Sequence, residues 1–235
     1  SARAAQVAQE LDVVAHPSLE ALLDRVDVVS VAVPTPAHTT VGLAVLSRGK
    51  AALIEKPLAD STDGAERLVA LARASGAILA VGHVERFNRA VRAAMPYLAG
   101  PRFLQTERLA PFQPRGADVA VVLDLMIHDL DLILELVGAE VREVRATGIP
   151  VLTPHVDIAN ARVEFDNGAV ALVTASRISR ERTRRMRIFQ PSGYFSLDLA
   201  KGDGVFHRLR PRSQSLGAGK IEDIAESVPL EAPEA

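Results

Sequence analysis

A histidine flanked by carboxylates on one stripe of a helix can move a proton, and residues 121–137, VVLDLMIHDLDLILELV, hold such a set. At about 100° per residue, Asp124, His128, Asp131 and Glu135 fall within an arc of roughly 60°. Asp129 lies well off that arc. The remaining circumference is Val, Leu, Ile and Met, the pattern of a helix buried nearly all round. Burying carboxylates is costly unless they are paired or hydrogen-bonded. The i, i+4 spacing of Asp124 and His128 and the i, i+3 spacing of His128 and Asp131 let these side chains meet. The simplest resolution is a stripe facing a polar cleft, with His128 held by a carboxylate. That fixes its tautomer and suits it to act as a general base. Two other readings stay open: a partly exposed helix whose acids face solvent or basic neighbours, and a metal site, although no H-E-x-x-H pair is present.

A second candidate is Lys56, in Glu55-Lys56-Pro57 at the end of the apolar run AALIE. A lysine at the carboxyl edge of a parallel sheet lies in the ligand crevice. Pro57 restricts Lys56 towards an extended presentation, and an ammonium there can steady a developing alkoxide. An ordinary strand-end turn is the alternative. The neighbouring strand ends also carry polar groups: VPTPAH (33–38) offers Thr35 and His38, and VGHVERFN (81–88) offers His83, Arg86 and Asn88.

The elements that must position these groups follow from the apolar rhythm. Helical spacing in SARAAQVAQEL, 37–49 and 62–76 alternates with short apolar runs beginning near 27, 51 and 77. Thr62 or Asp63 is the expected N-cap and Gly76 the stop of the last helix. This is the signature of parallel βαβ units in a doubly wound sheet, with continuous apolar strands predicting cover on both faces. After Arg86 the pattern changes to a helix (89–98), a strand (103–109), the helix above and a series of strands from 141 onward. Asn167-Gly168 marks a hairpin. The expected organisation is therefore a partial dinucleotide-binding Rossmann domain over 1–88. A substrate and oligomerisation α+β domain with a large, mostly antiparallel open sheet follows over 89–235, its helix 119–137 packing back on the first domain. The chain opens on a helix and contains no G-x-G-x-x-G, so it reads as a piece of something longer.

Composition narrows the function classes. The 235 residues are 48% hydrophobic with a net charge of -2 and no cysteine, which excludes disulfide, thiolate and cysteine-metal chemistry and suggests a reducing cytoplasm. No apolar run is long enough to span a membrane. The near-neutral charge and 4% aromatic content argue against nucleic acid as the main partner.

VPTPAH, IEKPLA, VGHVERFN and the D-x-x-x-H-x-x-D of Asp124, His128 and Asp131 together resemble the Gfo/Idh/MocA oxidoreductases over roughly residues 1 to 210. The runs LDLMIHDLDLILELVG and SRISRERTRRMRIFQ are most similar to the branch that oxidises the 3-hydroxyl of UDP-N-acetylglucosamine. The resemblance implies an NAD(P)-dependent sugar dehydrogenase, with NAD favoured over NADP. It implies Lys56, His128 and Asp124 as catalytic residues, with His128 the base and Asp124 its partner. Pro34, Thr35, Pro36, His38, Glu55, Lys56, Pro57 and Arg86 would contact the cofactor. Lys56, Arg86, Asn88, Asp124, His128 and Arg177 would contact the sugar or nucleotide-sugar substrate. It also implies a cis proline at Pro57, a structural part for Asp131, no metal, and a homo-oligomer, dimer or tetramer, formed through the open sheet. Met126 departs from the small residue usual two positions after the aspartate. A non-catalytic sugar-binding or assembly protein of the same fold is the competing expectation, as is a dehydrogenase of another sugar or inositol. The arginines at 177, 180, 182, 184, 185 and 187 could form a diphosphate or uronate site at the edge of the substrate cleft, but most are expected in a solvated turn or subunit contact, with Arg177 the best candidate for substrate.

Overall fold

The computed structural model describes residues 2–114, 119–210 and 225–231. It divides into two compact units, Ser1–His83 and Val84–Ala235.

In the first unit, helix α1 (Ala2–Glu10) and a short α2 (Leu19–Leu23) precede the alternation β1 (Val28–Val31), α3 (His38–Ser47), β2 (Ala51–Ile54), α4 (Thr62–Ser75), β3 (Leu79–Val81). The strands form a parallel sheet in the order β1-β2-β3. Consecutive right-handed crossovers between adjacent strands place both helices on the same face, where Val29, Val31, Ala52 and Ile54 meet Val45, Leu46, Leu68 and Ala72 in one core. Burial along these strands alternates, and Val28 and Leu53 are exposed. The cover expected on both faces is thus present on one face among the described residues. Helix α4 is capped by Ser61, whose hydroxyl accepts from the Gly64 N–H, rather than by Thr62 or Asp63, and it stops at Gly76 in the left-handed region.

The second unit holds α5 (Arg89–Ala94), β4 (Phe103–Leu109), a π-helical turn (Val122–Met126) running into α6 (Ile127–Val137), and seven further strands: β5 (Val141–Ile149), β6 (Ile158–Phe165), β7 (Val170–Ser176), β8 (Thr183–Gln190), β9 (Gly193–Asp198), β10 (Asp203–Leu209) and β11 (Ala225–Pro229). They form one sheet in the order β11-β10-β9-β8-β4-β7-β6-β5. Among the described strands of this sheet, only the central β4–β7 pair is parallel; the others join in antiparallel pairs. The expected hairpin joins β6 to β7, with Gly168 at φ 81°. Inward residues of alternating strands, Leu104, Val173, Ile188 and Phe195, pack with Met126, Leu132 and Ile133 of the helical segment. The open α+β sheet and the parallel α/β sheet are those the sequence predicts.

Candidate active site

In the first unit, three adjacent strand ends form one edge. Pairing continues past the strands, with Glu55 N–H donating to Val31 O at 3.0 Å and Gly82 N–H to Ile54 O at 2.8 Å. Lys56 follows at the end of β2, partly buried, and its bond to Pro57 is cis. Pro34 and Pro36 are exposed around a single 3-10 turn, Thr35–Ala37, that leads into α3. His38 is only 1% exposed. Its Nδ1 lies 2.8 Å from Pro57 O and its Nε2 2.8 Å from Val33 O. The ring therefore sits between the loop after β1 and the loop after β2, its tautomer deciding which of the two carbonyls receives the N–H. Gly82 has a steric reason: a Cβ there would stand 3.0 Å from a carboxylate oxygen of Glu55.

The second unit carries the helix. Its first five residues form a π turn, so Asp124 sits on wider winding than the 100° per residue assumed from sequence. The four-residue stripe therefore holds only from Ile127 onward. Asp124 and His128 are both partly buried. Asp131 accepts two bonds from Arg86, from Nε at 2.8 Å and from Nη2 at 2.7 Å, and Arg86 Nη1 reaches Glu135 at 2.8 Å. These acids of the stripe are thus bound to a basic neighbour, while Asp129, off the stripe, is the most deeply buried. It is 1% exposed and accepts from Arg108 Nε at 3.0 Å and Nη2 at 2.8 Å. Arg108 Nη1 also reaches Glu85 at 3.1 Å, and Arg184 stands 3.5 Å from the same oxygen.

Electrostatics follow from this network. Burial pushes the Glu85 carboxyl up, but the Arg108 guanidinium, the Asn88 amide and Arg184 outweigh it, leaving Glu85 below its ordinary range. Burial works against the Arg108 charge too, and the bonds and charges of Asp129 and Glu85 more than offset it. Burial pushes Asp129 up against the pull of Arg108. Its bidentate geometry, with a guanidinium N–H on each oxygen, is that of a carboxylate.

Asn88 caps α5 by accepting from Ala90 N–H, and its amide donates to Glu85 and to Leu199 O. Arg177 is 4% exposed; it donates to Val119 O at 2.5 Å, and its Nε lies 3.7 Å from Asp157. Asp157 accepts N–H bonds from Val151, Leu152 and Thr153 and the Thr153 hydroxyl, which hold its carboxyl far below the usual range despite burial. Sequence reasoning missed Glu85, Arg108 and Asp157. Arg108 had a signal, since it shares the inward parity of Leu104 and Thr106 on β4.

The sequence profile described as "Oxidoreductase family, NAD-binding Rossmann fold" matches residues 1–83, and that of the "GFO/IDH/MocA C-terminal domain" matches residues 80–196. The chain belongs to the Gfo/Idh/MocA oxidoreductase family. It is 43% identical to UDP-N-acetylglucosamine 3-dehydrogenase of Acidithiobacillus ferrooxidans over 94% of this chain and 69% of that protein. It is 30% identical to scyllo-inositol 2-dehydrogenase (NAD(+)) of Bacillus subtilis over 75% of this chain and 57% of that protein. A solved structure of the Acidithiobacillus enzyme matches with a TM-score of 0.88 at 39% identity, covering 99% of this chain and 73% of that one. The chain thus spans about two thirds of the first relative and less of the second. The cofactor of the Gfo/Idh/MocA first domain is NAD. The first unit keeps strand ends at one edge where such a group could be held. Three strand ends form one edge, Lys56 supplies a cation, and Gly82 leaves room for the Glu55 carboxylate.

Proposed function

We propose that this Gfo/Idh/MocA chain carries out NAD-dependent oxidation of a secondary hydroxyl on a nucleotide sugar, a UDP-amino sugar at its 3-position. The observation that carries the reading is the 43% identity over nearly the whole chain to a dehydrogenase of that name. In this reading Pro34, Thr35, Pro36, Glu55, Lys56 and Pro57 line the crevice that holds the nicotinamide, and His38 stiffens it from between the carbonyls of Val33 and Pro57. When bound, the cofactor supplies the hydride acceptor.

His128 takes the hydroxyl proton, and Asp124 orients its ring. The Lys56 ammonium stabilises the alkoxide charge as the carbinol carbon gives up its hydride. The C–H and O–H bonds break, a C=O double bond forms, the proton rests on His128, and the sugar is left as a ketone. Arg86, Asn88 and Arg177 shape the substrate side through the segments they hold. The test is a screen of nucleotide sugars with NAD and NADP, followed at the nicotinamide absorbance band. UDP-N-acetylglucosamine with NAD is expected to raise the band. Sugar binding with no absorbance change would favour a non-catalytic sugar-binding protein instead.

We also propose that the chain self-associates through the outer face of the eight-stranded sheet. A row of partly exposed rings, Phe103, Phe189, Tyr194 and His207, runs across β4, β8, β9 and β10 on the side away from the core, with centroids 5.8, 5.4 and 4.5 Å apart. A monomer in sedimentation would overturn this.

A further inference from the structure

His128 lies in the first turn of α6 between two acids, each gripped by its own arginine. On an α-helix Asp129 is rotated about 100° to one side of His128 and Asp131 about 60° to the other. Arg108 takes both oxygens of Asp129, and Arg86 takes both oxygens of Asp131. Paired N–H bonds from a planar guanidinium fix orientation as well as distance.

The anchors are themselves held. Arg108 stands in β4, hydrogen-bonded between β7 and β8 in the middle of the sheet. Arg86 belongs to a 3-10 turn, Val84–Phe87, whose Glu85 is bound by Arg108 and Asn88. Asn88 in turn is bonded to Leu199 O beyond β9. The network links the sheet, the turn and the helix, and all of it lies within the second unit.

We propose that Arg108 and Arg86 are positioning residues for His128, two clamps on either side of the imidazole that fix the rotation of α6 and hence the direction in which the ring presents its nitrogen. The inference rests on the reading of His128 as the base. A side chain tip lies about 5–6 Å from a helix axis, so a rotation of about 10° moves it by about 1 Å. A misplacement of about 1 Å in reacting geometry lowers rate on the order of 100-fold. Neither arginine touches the reacting atoms in this account. Each acts through the helix.

The experiment compares the unaltered chain with Arg108→Lys, Arg86→Lys and the double variant Arg108→Met/Asp129→Leu, which removes the clamp without leaving that pair half-broken. Circular dichroism selects the variants that fold. On those, kcat is expected to fall about 10- to 100-fold with KM within about twofold. The imidazole resonance of His128, recorded by NMR on the chain without cofactor, is expected to change from one signal to several or to broaden. A folded double variant with unchanged kcat and an unchanged His128 resonance overturns the clamp. His128→Ala separates the two claims: unchanged turnover there removes the base assignment, while the His128 resonance of the clamp variants still decides whether the ring is held.

Discussion

Replacing Arg108 by methionine leaves Asp129 and Glu85 without the cation that lies between them. Arg108 and Asp129 have side chains only 3% and 2% exposed, so solvent cannot take over the arginine's part. Breaking a buried pair by removing one partner costs about 3–5 kcal/mol. For a unit of this size that corresponds to a fall in melting temperature of about 6–20 °C. The loss should depend on pH. Burial already pushes Asp129 up, and without Arg108 it moves further up, so the folded unit binds a proton that the unfolded chain, at its ordinary 3.8, has released. Stability of the variant then falls as pH rises above that ordinary value and recovers as pH falls towards it, by up to about 1.4 kcal/mol per pH unit. Urea unfolding at several pH values, with m-values checked for constancy, measures this directly. Adding Asp129→Leu should restore part of the loss and leave only the pH dependence due to Glu85, which burial also pushes up. A single variant within about 1 kcal/mol of the unaltered chain, or a double variant as unstable as the single, would refute the reasoning.

Two further outcomes follow from the same geometry. His38→Ala removes the ring N–H that serves one of these half-buried carbonyls, at about 0.5–1.5 kcal/mol, together with the packing between the two loops; hydrogen exchange should quicken at residues 33–38 and 55–58, and unaltered exchange there would contradict the tie. Asp157 has a depressed carboxyl whose contribution is present above its ordinary 3.8 and lost as pH falls through its folded value. Asp157→Asn should therefore be less stable at neutral pH and show a flatter acid limb in urea unfolding, and an unchanged limb would count against the Val151–Thr153 cradle.

Much of the fold was legible because it rests on local signals. The β-α alternation, the stops at Gly49 and Gly76 and the Asn167-Gly168 turn each follow from backbone freedom or apolar period. The alignment of the strand ends at Val31, Ile54 and Val81 followed from the parallel topology. What was not legible depends on partners distant in the chain. Asp129 looked like the stray acid of the helix, because its counter-ion is on β4 and parity alone does not say which acid an inward arginine meets. The π turn at Val122–Met126 escaped because a uniform angle per residue was assumed. One-sided cover of the parallel sheet escaped because apolar strands report the burial they suit, while crossover handedness decides where α3 and α4 go.

The central claim is that His128 removes the proton from the hydroxyl being oxidised. It is tested most directly by the initial rate of NADH formation with UDP-N-acetylglucosamine and NAD for the unaltered chain and for His128→Ala, with cofactor affinity measured separately. The account predicts a fall of about 100- to 10,000-fold in rate with cofactor affinity unchanged. An unaltered rate would contradict it.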